Sequence, residues 1–285
     1  MSIPNEINIG ILGAGGKMGM RISANLKKLP NEIFYIENAE TGIKRLEKSG
    51  LKVSAPQEVL GKIDVLILAV PDLLINKIST EVVPDMKSDA TVMLLDPAAT
   101  YMNQVCIRKD LNYTVIHPCH PALFKDQPTL EGYQDHFGGT AGLQDIVSTH
   151  WKGARQKYEL ACDIVKVMFA PVDRVFEITL EQMAFLEPSV VEVCSLSLIS
   201  VFKELVEEMD KRGIPREVAM SFLLGHIKVE LAILLLGLNP ASDAAMIAMD
   251  YGRKKLIKAD WKQVLTDESL HEVLTKMLKL DHTVG

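Results

Sequence analysis

The first half of the chain alternates short apolar, β-branched runs with amphipathic or turn-rich stretches. Ile7–Leu12 (INIGIL), Ile33–Glu37 (IFYIE), Val65–Val70 (VLILAV), Thr91–Asp96 (TVMLLD) and Tyr113–His117 (YTVIH) are predicted strands, with Leu51–Ser54 a candidate for a further one. Near-continuous apolar runs of this kind belong to parallel strands covered on both faces. Past Gly138-Gly139 the texture changes: one more strand is predicted at Asp145–Thr149, and then helix dominates, from about Gly153 to Met168 and again from Leu180 onward. The expected fold is α/β, a doubly wound, mostly parallel sheet in residues 1–150 followed by an all-helical domain in 151–285.

Local signals mark out the helical half. Thr179-Leu180-Glu181-Gln182 has the form of a capping box, opening a helix that can run to Lys211. Gly213 and Pro215 supply a stop and a new start. The next helix covers about Pro215–Leu236, ends at Gly237-Leu238-Asn239-Pro240, and is followed by helices near Ser242–Lys258 and Glu268–Leu280. The apolar tract Val218–Leu238 is broken by His226, Lys228 and Glu230, leaving only stretches of eight residues, such as Leu231–Leu238, free of charge. That is far short of the roughly 20 residues a spanning helix needs, so no membrane is expected. Apolar on most of its circumference, the tract reads as a helix buried in a bundle or in a subunit interface.

Composition narrows the partners. The chain has 285 residues, enough for two domains, and its 48% apolar and 24% charged content is that of a globular protein. Lys+Arg 31 against Asp+Glu 37 gives a net charge of -6, which leaves no electrostatic footprint for nucleic acid or an anionic membrane. A small-molecule partner is expected. The four cysteines form no C-x-x-C pair, and Glu6 stands where a secretory signal would place basic residues, so a reduced, cytoplasmic protein is expected.

Gly13-Ala14-Gly15-Gly16-Lys17-Met18-Gly19 follows the first strand directly and leads into a predicted helix over Met20–Leu29. Glycines here let the backbone turn tightly and approach a pyrophosphate at a helix N-terminus, which makes the domain Rossmann-type. The spacing departs from G-x-G-x-x-G, with Met at position 18 and the third glycine one residue late at Gly19. A turn that merely joins strand to helix is the alternative reading. Glu37 counts against it, because an acid ending the second strand can accept hydrogen bonds from an adenosine ribose. The same acid repels a 2′-phosphate, favouring NAD, while Lys44 and Arg45 keep NADP open. Pro71-Asp72 and Asp96-Pro97-Ala98 end strands where ligands of such sheets bind, and ordinary turn chemistry would also account for them.

The least ordinary stretch is His117-Pro118-Cys119-His120-Pro121, whose prolines restrict the backbone and fix the directions of the imidazoles. A general acid or base, a metal ligand, a nucleophile through Cys119 and a purely structural role all stay open. In the helical half, Glu187 precedes a proline that disrupts its helix. His226 and Glu230, at i and i+4, place an imidazole and a carboxylate on one face, either for use in a site or satisfying each other in the core. The β-hydroxyacid dehydrogenases, which also join a Rossmann domain to a helical one, rely on a catalytic lysine with an asparagine four residues later. Between Glu177 and Val201 this chain has neither. Histidine or a metal-bound alkoxide must then manage the proton.

GAGGKMG at 13–19, HPCHPALF at 117–124, the Cys162-Asp163-Ile164 stretch with Pro171-Val172 after it, TLEQMAFLEP at 179–188, GHIKVELA at 225–232 and PASDAA at 240–245 together resemble the D-apionate oxidoisomerase family, within the wider 6-phosphogluconate dehydrogenase-like group. The resemblance runs through almost the whole chain in the same order. It implies NAD-linked oxidation of a branched sugar acid with an acyloin-type migration to 3-oxo-isoapionate, and a homodimer with helices packed across the subunit boundary. Under it, Gly13, Gly15, Gly16 and Gly19 with Lys17 and Met18 cradle the pyrophosphate, Glu37 holds the ribose, and Pro71, with Asp72 beside it, lines the nicotinamide side. His117 does the acid-base or metal work, faced by Glu187, His226 and Glu230, with His120 as its orienter. A divalent ion would hold the developing oxygen charges, and His117 with Glu187, mixing nitrogen and oxygen, favours zinc. Two other readings remain: a hydroxyacid dehydrogenase or reductase without rearrangement, and an NAD-sensing binding protein.

Overall fold

A computed structural model describes residues 3–280 of the chain. Strands β1 (Ile9–Leu12), β2 (Ile33–Ile36), β3 (Val65–Leu68), β4 (Thr91–Leu94), β5 (Asn112–Pro118), β6 (Gln144–Lys152) and β7 (Val172–Glu177) form one sheet in the order β2-β1-β3-β4-β5-β6-β7. The first five are mutually parallel; β6 runs antiparallel to β5, and β7 is parallel to β6. Every residue of β1, β3 and β4 is buried, as an apolar run covered on both faces requires. The stretch expected at Leu51–Ser54 contributes only an isolated bridge, Val53 to Tyr35.

The helices are α1 (Lys17–Leu26), α2 (Glu40–Lys48), α3 (Pro56–Val59), α4 (Asp72–Val82), α5 (Ala98–Tyr101), α6 (Leu130–Gln134), α7 (Arg155–Met168), α8 (Leu180–Ala184), α9 (Ser197–Lys211), α10 (Arg216–Leu234), α11 (Asp243–Leu256) and α12 (Asp267–Met277). Ile22 and Leu26 of α1 and Ile164, Val165 and Met168 of α7 pack with β1, β3 and β4 into one core. The capping box is present as read: the Thr179 hydroxyl accepts from the Gln182 amide at 3.1 Å, and the Gln182 side chain accepts from the Thr179 amide at 3.0 Å.

Three expectations change. The chain divides into one compact unit that runs to Leu186 and resumes at His271, and a second over Glu187–Leu270, so the division does not fall at residue 150. The reason is β7, which the sequence reading passed over: VDRVFE has only three apolar residues, and as an edge strand it buries none of its six. With β7 in the sheet, α7 belongs to the sheet unit and not to a helical domain.

The helix opened at Thr179 does continue to Lys211, but Pro188 cannot donate to a regular ladder, and Phe185–Leu196 is wound as π-helix. By length and composition Leu180–Lys211 is the one helix among the described residues able to cross a membrane, with a mean hydropathy of 1.6 and 11% burial in its most apolar window. It also carries Glu187 and Glu192, which are costly at a bilayer centre. Finally, α10 is not buried within the chain. Ala219 is its only buried residue, and Phe222, Leu224 and Leu234 are 68%, 56% and 60% exposed.

Candidate active site

The crevice of an open α/β sheet opens where strand order reverses, here between the carboxyl ends of β1 and β3. A cavity of about 650 Å³ lies there, lined by Gly13, Gly15, Gly16, Glu37, Arg45 and Pro71 among others. Gly13 has φ +81°, and a Cβ on it would stand 2.4 Å from the Ala69 carbonyl oxygen. Gly19 does the packing work of the fingerprint's third glycine despite its late position, since its Cβ would meet the Gly13 oxygen at 2.1 Å. Gly15 and Gly42 approach so closely that a Cβ on Gly15 would lie 2.5 Å from the Gly42 backbone.

Glu37 closes this loop. One carboxylate oxygen accepts the Gly15 amide at 3.0 Å, and the other accepts the amides of Asn38 and Ala39 at 2.9 Å each. Since each oxygen has two lone-pair sites, the oxygen facing Gly15 retains one. Arg45, weighed in the sequence only for a 2′-phosphate, donates to the Gly15 carbonyl at 2.6 Å. No local motif announces that contact, which depends on α2 folding back against the glycine loop. Lys17, exposed, and Met18, packed on the core, occupy the first turn of α1 beside the cavity without lining it. Asp72 likewise opens α4 just beyond the lining residue Pro71.

At the carboxyl end of β5, His117 is half-buried and its Nδ1 lies 3.1 Å from the Leu95 carbonyl oxygen. A carbonyl only accepts, so Nδ1 carries the proton and Nε2 holds the lone pair. Burial, the largest influence, and then His120 push the His117 pKa down to about 4 against the Leu95 bond, so the ring is neutral near pH 7. Asp96 Oδ2 stands 3.8 Å from the same Nδ1, too far for a hydrogen bond, while Asp96 Oδ1 accepts the Ala98 amide at 2.8 Å. Asp72 is pushed up to about 7, first by burial and then by the Asp96 charge.

His120 stands beside His117, the ring centroids 6.5 Å apart and nearly perpendicular. Its Nδ1 donates to the Phe137 carbonyl at 2.8 Å, so it too presents Nε2. The Cys119 thiol is pushed up by desolvation and by Asp145, the wrong direction for a nucleophile.

The remaining expected residues lie in the second unit. Glu187 is half-buried in the π segment ahead of Pro188. His226 and Glu230 are both exposed in the protomer, which overturns the reading of a pair buried in the core. No hydrogen bond or ion pair joins them among the described residues; His226 donates from Nδ1 to the Phe222 carbonyl at 2.8 Å and stacks on the Phe222 ring. Zinc on His117 and Glu187 finds no support either. A catalytic zinc takes about three protein ligands, and no group of three or more His, Cys, Asp or Glu able to hold a metal gathers among the described residues.

A glycine-loop dinucleotide crevice, an imidazole pair at the same sheet edge and a separate helical unit define an NAD-linked oxidoreductase of the 6-phosphogluconate dehydrogenase-like class. Residues 125–278 match the family of the phosphogluconate dehydrogenase (decarboxylating) C-terminal domain, and residues 4–139 match the NADPH-binding domain of acetohydroxy acid isomeroreductase. The chain is 42% identical to the D-apionate oxidoisomerase of Pectobacterium atrosepticum, over 96% of each chain. It is 40% identical to that of Blautia hydrogenotrophica, over 97% of this chain and 98% of the other. The chain belongs to the D-apionate oxidoisomerase family.

A solved structure described as a semialdehyde dehydrogenase NAD-binding protein from Cupriavidus necator, in complex with calcium and NAD, superposes with a TM-score of 0.91. It shares 37% identity, over 95% of this chain and 99% of that one. An NADH-preferring ketol-acid reductoisomerase from an uncultured archaean shares the fold at a TM-score of 0.66 and 17% identity.

Proposed function

We propose that the protein oxidises D-apionate with NAD and rearranges the product to 3-oxo-isoapionate, with the Nε2 of His117 as the acid-base group. The observation that carries the reading is the His117 imidazole, held neutral at the sheet's ligand-binding edge with its proton fixed on Nδ1 by Leu95. The glycine loop and the free lone pair of Glu37 fit the pyrophosphate and ribose of NAD, and the acid disfavours a 2′-phosphate. Bound NAD supplies the hydride acceptor.

The Nε2 of His117 takes the proton of the substrate hydroxyl as its carbon gives up hydride, and the ring becomes an imidazolium. In the rearrangement a neighbouring hydroxyl loses its proton and becomes the new carbonyl, its C–C bond shifts to the oxidised carbon, and the first oxygen regains a proton. Two adjacent imidazoles suit that exchange, one accepting and the other donating. Glu187, His226 and Glu230 remain proposed catalytic groups, contributed by the helical unit. No step is routed through a metal.

We further propose a cytoplasmic homodimer, supported by the apolar surface that α9, α10 and α11 leave open in the protomer, where Leu198, Phe222, Leu235, Ile247 and Leu256 are half to three-quarters exposed. The function is tested by incubating the protein with D-apionate and NAD, following NADH absorbance and identifying the product. NADH with 3-oxo-isoapionate supports it. Turnover only of unbranched hydroxy acids overturns the substrate, and an unrearranged oxo acid overturns the isomerase step.

A further inference from the structure

A histidine is useful as a base only if its lone pair is held in the right direction, and for His120, in the loop after β5, that direction is set by a distant turn. The acceptor of its Nδ1 proton is the Phe137 carbonyl, part of a tight turn that no secondary-structure ladder supports. The turn is built around one carboxylate. Asp135 Oδ1 accepts the Gly138 amide at 3.0 Å, and Asp135 Oδ2 accepts the amides of Thr140, Ala141 and Gly142 at 3.0, 2.9 and 3.1 Å. Between them Gly138 and Gly139, at φ +73° and +81°, take the left-handed conformations that aim successive amides inward. Burial works against ionisation of Asp135, and the backbone donors outweigh it, holding the carboxyl below its ordinary value.

The same turn is anchored on the helix that follows the glycine loop. The guanidinium of Arg21 lies 5.0 Å from the centre of the Phe137 ring, and Asn25 Nδ2 donates to the Gly139 carbonyl at 2.9 Å. His120 itself stands at φ +60°, a conformation that persists only where its surroundings over-determine it. Two of those surroundings are Pro121 after it and the Phe137 carbonyl against its ring.

We propose that Asp135 is a positioning residue for the reaction: by folding the 135–142 turn it presents the Phe137 carbonyl that fixes His120 as the Nδ1–H tautomer, and it ties that imidazole to α1 and the cofactor loop. The inference deepens the function proposed above and rests on His120 being the second imidazole of that site.

The test uses the full chain with ¹⁵N-labelled histidine. Side-chain nitrogen shifts report the tautomer of His120, assigned by its loss in His120→Asn, in the wild type and in Asp135→Asn and Asp135→Ser, whichever of the two melts cooperatively. His120 is expected as Nδ1–H in the wild type and as a mixture in the variants. With D-apionate and NAD, the variants are expected to lose about tenfold in kcat, with the KM for NAD changed less than about twofold. In a His120→Asn background the Asp135 substitution should cost nothing further, since it acts through that ring. An unchanged tautomer, or losses that simply multiply, would overturn the proposal. Should the wild type not turn over D-apionate at all, the function falls, and the tautomer measurement still decides the role of Asp135.

Discussion

Which nitrogen of an imidazole carries the lone pair decides whether the residue can work as a base, and for His117 a backbone carbonyl decides it. The unusual HPCHP stretch was readable in the sequence. The tautomer was not, because the Leu95 carbonyl lies just past β4 and reaches the ring only because β4 pairs with β5. His117→Gln keeps a donor for Leu95 and loses the base, so kcat should fall by about 10²- to 10⁴-fold with the melting temperature little changed. Stopped-flow NADH formation measures the first quantity and differential scanning fluorimetry the second.

His117 and Asp72 also oppose each other in the pH dependence of stability. His117 titrates near 4 in the folded protein, below its ordinary 6.5, so between those values the unfolded chain binds the extra proton and stability falls as pH falls. Asp72 behaves in the reverse sense, titrating near 7 against an ordinary 3.8, so the folded state holds the extra proton and stability falls as pH rises through that window. Asp72→Asn should therefore gain stability relative to the wild type as pH rises from 4 to 7. Urea titrations at several pH values would show it, and a constant difference between the two proteins would refute it.

Elements were legible where burial is uniform and obscure where it is partial. The five runs read as parallel strands are all in the sheet, because two covered faces force continuous apolar sequence. β7 escaped notice because an edge strand has no such constraint, and its alternation is spoiled by Asp173 and Arg174, which are ion-paired with Lys125 and Asp145 respectively. The glycine motif looked misspaced, yet Gly19 makes the helix-to-strand contact by lying against the Gly13 oxygen. Gly19→Ala should push α1 off β1, costing about 1–3 kcal/mol in chemical denaturation and weakening NAD binding by calorimetry. Thr179→Ala removes one half of the capping box and should cost about 1 kcal/mol, with the NAD affinity unaltered.

On the scale of the whole molecule, the sequence showed that α10 was too apolar for water but not where its cover comes from. With one buried residue, α10 leaves its apolar surface open, which is the surface of the proposed dimer. If the proposed homodimer forms through this surface, Phe222→Glu should shift it to monomer in sedimentation velocity at micromolar concentration. A wild-type monomer under the same conditions would remove the dimer altogether. The sequence already assigns Glu187, His226 and Glu230 to the helical half and His117 to the sheet half; what it does not show is where the halves divide, since the first unit runs past β7 to Leu186 and not to residue 150.

That boundary has a second side. The chain leaves the sheet unit after Leu186 and re-enters it at His271, where Leu274 and Leu278 of the closing segment are buried. During synthesis on the ribosome the cofactor-binding unit therefore cannot finish folding when its last strand emerges. It must wait for the entire helical excursion to be made, with its docking surface open to chaperones or to premature association. A nonsense codon just before His271 would strip no residue from the sheet and yet remove the buried Leu274 and Leu278 from its unit.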